Sequence, residues 1–232
     1  MYPRPFHSIG LLFRLSGDQD PVFLGTCFAY RTKRTFLTVA HCVGRLQALE
    51  LRVVLPITDH ADFIEVTGLA VHPTADLAVL TVAPIASDEL LPFAGREQTL
   101  TWGDDAHAVG FPEESEGHGV VPTARYHSGN IQRFFTHRSS LGYVYRAGEL
   151  SFGAAAGLSG GPVFPPEHLD KVIGVVAENH DSTTYLRSVE EVQEDGQIYR
   201  QRLHEVIRYG IFVSLNTKPV AVWLDRAAEG AA

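Results

Sequence analysis

The sequence predicts an all-β chain arranged in two comparable halves with little helix. Three observations carry that reading. First, short apolar or alternating runs recur along its length: SIGLLFRL, PVFLGTCFAY, RTFLTVAHC, LELRVVL, FIEVTGLAV, LAVLTV, HAVGF, GNIQRFF, GYVYRA, KVIGVVA and YGIFVSL. Most are rich in Val, Ile, Phe, Leu and Tyr and are bounded by Gly, Pro, Asp or Ser, the strand signature of a sandwich or barrel. Second, a looser charged stretch, Pro112 to Thr123, falls near the middle, with roughly six strand candidates before it and five after. Third, helical periodicity is confined to two places. Gln197 to Arg208 (QIYRQRLHEVIR) sets Ile198, Leu203, Val206 and Ile207 near one face, and Lys218 to Glu229 (KPVAVWLDRAAE) reads as a terminal helix packing Val222 and Leu224.

The expected division is therefore 1–111 and 112–232, together one domain, with an insertion at about 179–209. Within that insertion Val189 to Gly196 (VEEVQEDG) reads as a solvated acidic loop. Composition narrows the partners. A chain of 232 residues with formal charge −8 and no Lys/Arg cluster lacks the basic face that nucleic acid or an anionic membrane requires. No apolar run approaches the roughly 20 residues needed to span a bilayer. The opening MYPRPFHSIG lacks the basic, apolar and cleavable regions of a signal peptide, so a cytoplasmic location is expected. Cys27 and Cys42 are the only cysteines, which rules out a multi-thiolate metal site.

The segment GLSGGPVF, Gly157 to Phe164, places Ser159 among three glycines, and by itself it could be a turn before a buried strand. A serine used as a nucleophile needs a base. TFLTVAHC offers His41 at the end of an apolar run, although one of 11 histidines taken alone is more often a surface or packing residue. HPTADLAVL offers Asp76 just ahead of a strongly apolar strand, where a turn-forming acid is the plainer explanation.

TVAHC, ADLAVL and GLSGGPV occur in that order, with the candidate His, Asp and Ser 35 and 83 positions apart. Together they resemble the trypsin-like, chymotrypsin-fold serine peptidases. VFLGTCFAY, AVGFP, SGNI, VIGVVA, YGIFV and VAVWL resemble further strands and the closing helix of that family, so the likeness runs from about Ile9 to Leu224. The resemblance implies a double β-barrel of the six-stranded type with a short C-terminal helix. It also implies hydrolysis of peptide bonds through an acyl-enzyme, with Ser159 as nucleophile, His41 as base and then acid, and Asp76 as the group that orients and stabilises the imidazole. The backbone N–H groups of Gly157 and Ser159 would form the oxyanion hole. No metal or organic cofactor is implied.

Leu158 stands where digestive members carry an Asp that pairs with a newly cleaved N-terminus, so the resemblance points to the bacterial branch that needs no such step. By family spacing, the primary pocket falls to Gly153 and Ala154 on one side and to Val176, Ala177, Glu178 and Asn179 on the other. Gly153 carries no carboxylate, so Arg or Lys at the cleavage site is not favoured. GAAA (Gly153 to Ala156) reads either as an apolar, small-walled pocket for a medium or large uncharged side chain or as a tight turn. Cys27 and Cys42 are expected on adjacent strands and match the positions of a common family bridge. A disulfide there is permitted, and reduced thiols are expected in a chain without a signal peptide. The insertion reads as a lid, a partner-docking element or a plain surface excursion.

A polypeptide substrate and a regulatory protein partner are the expected partners. A catalytically silent or partner-activated domain that binds peptide in its groove is the second reading, and an esterase or acyl transferase with the same triad is the third.

Overall fold

A computed structural model describes residues 4–15, 20–56, 62–86, 88, 90–95, 100–113, 123–192 and 198–229. Six strands close the first barrel: β1 (Ile9–Arg14), β2 (Val22–Ala29), β3 (Thr35–Thr38), β4 (Leu51–Val54), β5 (Ile64–Val71) and β6 (Ala78–Val82). A single helical turn, α1 (Ala40–Val43), follows β3. The two-residue strand β7 (Ala94–Gly95) lies in the connection to the second barrel, which is built from β8 (Asp105–Gly110), β9 (Arg125–Arg138), β10 (Val144–Leu150), β11 (Pro162–Phe164), β13 (Gly174–Val192) and β14 (Ile198–Ser214). Between β11 and β13, β12 (Lys171–Val172) pairs in parallel with β7, and α2 (Lys218–Glu229) closes the chain.

Inward-facing side chains fill each barrel. In the first, Leu12, Phe28, Phe36, Leu51, Val53 and Leu80 are completely buried. In the second, Ala106, Ala108, Ile131, Leu150, Val163 and Val176 form the corresponding cluster. Small residues at 106 and 108 leave room inside the ring for Phe212 and Leu158, as expected where a closed sheet must be filled to interior density.

Four expectations need correction. The expected helix of Gln197–Arg208 is strand from Ile198 onward, Gln197 lying outside the described residues: β14 begins at Ile198 and pairs with β13 out to Val192↔Ile198. Tyr199, Leu203 and Ile207 also recur at an even spacing, and the strand opposite carries the β-branched Thr183 and Thr184, so pairing overrides the helical spacing. Val189–Val192 belongs to that strand rather than to a loop, while 193–196 lies outside the described residues. The change of barrel precedes β8, hence falls between Val82 and Asp105 and not at 111/112; the loose stretch after Phe111 is the connection from β8 to β9. On α2 the buried apolar residues are Val220 and Leu224, with Val222 turned outward.

Candidate active site

The chain leaves β3 through Val39, which is extended, and turns into α1, so that His41 stands at the barrel mouth with its ring partly exposed. Asp76 is 2% exposed on the loop before β6. Its two oxygens are both used: Oδ1 accepts the His41 backbone N–H at 2.9 Å and Oδ2 faces His41 Nδ1 at 2.7 Å. One carboxylate thus fixes both the turn and the ring, and it selects the tautomer with Nδ1 protonated and Nε2 toward the cleft. Burial pulls the His41 imidazole down, but hydrogen bonding to the Asp76 carboxylate outweighs it and raises the ring above the ordinary imidazole range.

The Ser159 loop is shaped by its glycines. Gly157 and Gly160 both lie at φ near +90°, and a Cβ at 160 would meet the Thr26 carbonyl oxygen at 1.9 Å. Any side chain there would be blocked by backbone of the other barrel. Leu158 is completely buried in the second-barrel core and anchors the loop by packing. Among the described residues, neither the Gly157 nor the Ser159 N–H donates to a protein acceptor, so both remain available to a ligand oxygen. The Ser159 hydroxyl donates to the Ala177 carbonyl at 2.8 Å rather than to His41.

His41, Asp76 and Ser159 open onto one cleft of about 450 Å³, walled by Ala154, Ala155, Ala156, Ala177, Glu178 and Asn179. Asn179 accepts the Ala154 N–H at 2.6 Å and donates back to the Ala154 carbonyl, which clasps the two walls together. Glu178 is held by His137 and, at 3.4 Å, by the Tyr145 hydroxyl. Val176 does not reach the cleft: its side chain is buried and its backbone ties to Gly160 and Gly161. Gly153 lies behind the wall, under the aliphatic stem of Arg208, which pairs through two nitrogens with Asp181.

Cys27 and Cys42 are both buried free thiols; Cys42 sits in α1, not on a strand beside β2. Among the described residues, no three His, Cys, Asp or Glu side chains converge on a point that could hold a metal, and no helix is long and apolar enough to cross a membrane.

Sequence reasoning passed over Thr26. Its hydroxyl donates to the Gly157 carbonyl at 2.8 Å and accepts the Phe111 N–H at 2.9 Å, while its backbone N–H holds the Ser159 carbonyl at 2.8 Å. A buried hydroxyl inside an apolar strand, in VFLGTCFAY, was the available signal.

A family profile described as a trypsin-like peptidase domain matches residues 25–175. No curated protein sequence matches the chain. Among solved structures, the active form of the Rv3671c protease from M. tuberculosis is 17% identical with a TM-score of 0.64, over 95% of this chain and 81% of that one. The HtrA-type protease AlgW with a decapeptide is 17% identical with a TM-score of 0.64, over 98% and 66%. The MamO protease domain from Magnetospirillum magneticum is 14% identical with a TM-score of 0.64, over 97% and 98%. At these identities the likeness is one of fold.

Proposed function

Because the chain belongs to the trypsin-like peptidase family and is a serine-type endopeptidase, we propose that His41, Asp76 and Ser159 are its catalytic triad. The observation that carries the assignment is the buried Asp76 carboxylate, 2.7 Å from His41 Nδ1, in the same cleft as a serine on a doubly left-handed glycine loop.

Catalysis needs the neutral imidazole with its hydrogen on Nδ1, whose free Nε2 can accept from Ser159. The hydroxyl then leaves the Ala177 carbonyl and attacks a peptide carbonyl carbon as its proton passes to His41. The carbonyl oxygen becomes an oxyanion and is met by the N–H groups of Gly157 and Ser159. The imidazolium, held by Asp76, protonates the departing amine, and water resolves the acyl-enzyme by the reverse sequence. The substrate is an unfolded or extended segment of polypeptide, met in a cytoplasmic setting.

The bond from Ser159 to Ala177 favours a second reading, in which the resting groove binds peptide and a partner triggers turnover. Labelling of the purified full chain with a fluorophosphonate, beside Ser159→Ala and His41→Ala, separates the two. Modification mapped to Ser159 and absent from both variants is expected. A folded protein that takes no label, but takes it once a partner is added, would establish the second reading instead.

A further inference from the structure

Asp76 can orient His41 only if its own loop is held, and the loop is held by a histidine that the triad does not use. His72 is 6% exposed. Its Nδ1 accepts the Ala75 N–H at 2.8 Å and the Thr74 N–H at 3.1 Å. Its backbone N–H closes the far side of the loop on the Leu77 carbonyl at 2.9 Å. Pro73 presets the first turn residue, and the ring performs the role that an Asp or Asn oxygen plays in an Asx turn. From outside, the ring packs edge-on to Trp223 of α2, 4.9 Å between centroids. The second barrel adds one bond, from the Val144 N–H to the Thr74 carbonyl.

We propose that His72 is a positioning residue for Asp76, and that taking up a proton in acid releases the Asp76 loop and uncouples the His41–Asp76 pair. The inference rests on the reading of that pair as catalytic. An Nδ1 that accepts two N–H groups must be unprotonated, with its hydrogen on Nε2. An imidazolium would turn a third N–H against them, leaving two backbone donors without an acceptor next to a buried carboxylate. Among the described side chains, the titratable and charged groups on the elements around His72 are Asp76 in its own loop, Tyr143 ahead of β10, and Lys218, Asp225 and Arg226 on α2. Asp225 is already held by Arg31. Burial is what pushes His72 below the ordinary imidazole value, which keeps the acceptor form populated at neutral pH.

The test compares wild type with His72→Asn, which keeps an acceptor that does not titrate, and His72→Phe, which keeps a ring against Trp223 but no acceptor. Two readouts are taken on each: kcat/KM against pH on a chromogenic peptide, and the low-field proton resonance of His41 Nδ1, followed in the Ser159→Ala background. In wild type the acid limb is expected to steepen from one proton to two, and the resonance to be lost with the second. In His72→Asn the limb stays first order and the resonance persists to lower pH. His72→Phe is expected to lose ~10²-fold in kcat with KM little changed, the cost of a misplaced catalytic group.

Identical pH dependence of the resonance in wild type and His72→Asn would overturn the proposal, even if His72→Phe failed to fold. So would a folded His72→Phe within about twofold of wild type, where the cost of misplacement should be far larger. Failure of the triad assignment itself would appear as absent Ser159 labelling, which the resonance does not depend on.

Discussion

At the scale of single residues, the site is an economy of acceptors. Asp76 uses both oxygens on His41, His72 spends one lone pair on the Asp76 loop, and the Ala177 carbonyl occupies the Ser159 hydroxyl until His41 can take it. The raised His41 value has a thermodynamic sign. An imidazole whose folded value exceeds its unfolded one, about 6.5, contributes stability in full below about pH 6.5 and loses it as pH climbs through the folded value. Wild type should therefore exceed Asp76→Asn in unfolding free energy by most near pH 6, and the gap should narrow steadily toward pH 9. Urea unfolding of both proteins across that range checks it, and a gap independent of pH would mean the pair is not ionised as described. If the cleft beside Ser159 is the primary pocket, as its walls propose, a single side chain sets specificity. Asn179 bridges the cleft walls through both Ala154 backbone groups, so the pocket is narrower than GAAA alone suggests and should accept small aliphatic residues ahead of aromatic ones. Asn179→Gly removes the clasp and should raise kcat/KM for Phe relative to Ala before the scissile bond by ~10-fold, within the range one pocket contact commands. A peptide library profiled with both proteins decides it.

Elements differ in how much of their structure the sequence makes legible. Strands buried on both faces, such as β6 with its near-continuous Ala78–Val82, announce themselves because burial and pattern agree. That His41, Asp76 and Ser159 gather in one cleft was legible because short motifs flank each one. Thr26 and His72 were not: their roles depend on backbone groups brought close only by folding. The hairpin of β13 and β14 misled for a related reason. From His180↔Tyr209 outward, these two strands pair only with each other among the described residues, so no core imposes an alternating apolar pattern on them. Four apolar residues at helical spacing then look like a helix face. The same isolation yields a prediction. Replacing residues 183–206 by a two-residue turn keeps the Asp181–Arg208 pair and all barrel contacts of both strands. The unfolding temperature should move by less than about 4 °C, the shift of roughly one kcal/mol in a chain of this size. Hydrolysis of a short peptide should survive. Loss of the fold would show that the arm is part of the core.

For the molecule as a whole, the decisive surface is the seam between barrels, since His41 and Asp76 come from the first and Ser159 from the second. Thr26 is the point where the seam is written into the site. It lies on β2, is completely buried, and bonds Gly157, Ser159 and Phe111 across the seam, while Thr38 holds its carbonyl at 2.8 Å. Thr26→Val matches the side chain in shape and removes only the hydroxyl, leaving the Phe111 N–H without its acceptor and the Gly157 carbonyl without its donor. Each buried orphan costs about 1–3 kcal/mol, so the variant should lose stability in that range or somewhat beyond. The kinetic consequence separates this residue from an ordinary packing position. The Gly157 carbonyl belongs to the loop whose Gly157 and Ser159 N–H groups are the proposed oxyanion donors, so releasing it loosens the segment that carries them. Since losing one such donor costs ~10²-fold or more in kcat, a partial misalignment should cost ~10-fold with KM little altered. Thr26→Ser restores the hydroxyl and should recover most of kcat. If Thr26→Val lowered stability but left kcat intact, the seam would be structural only, and the oxyanion loop would have to be held by Leu158 and the glycines alone.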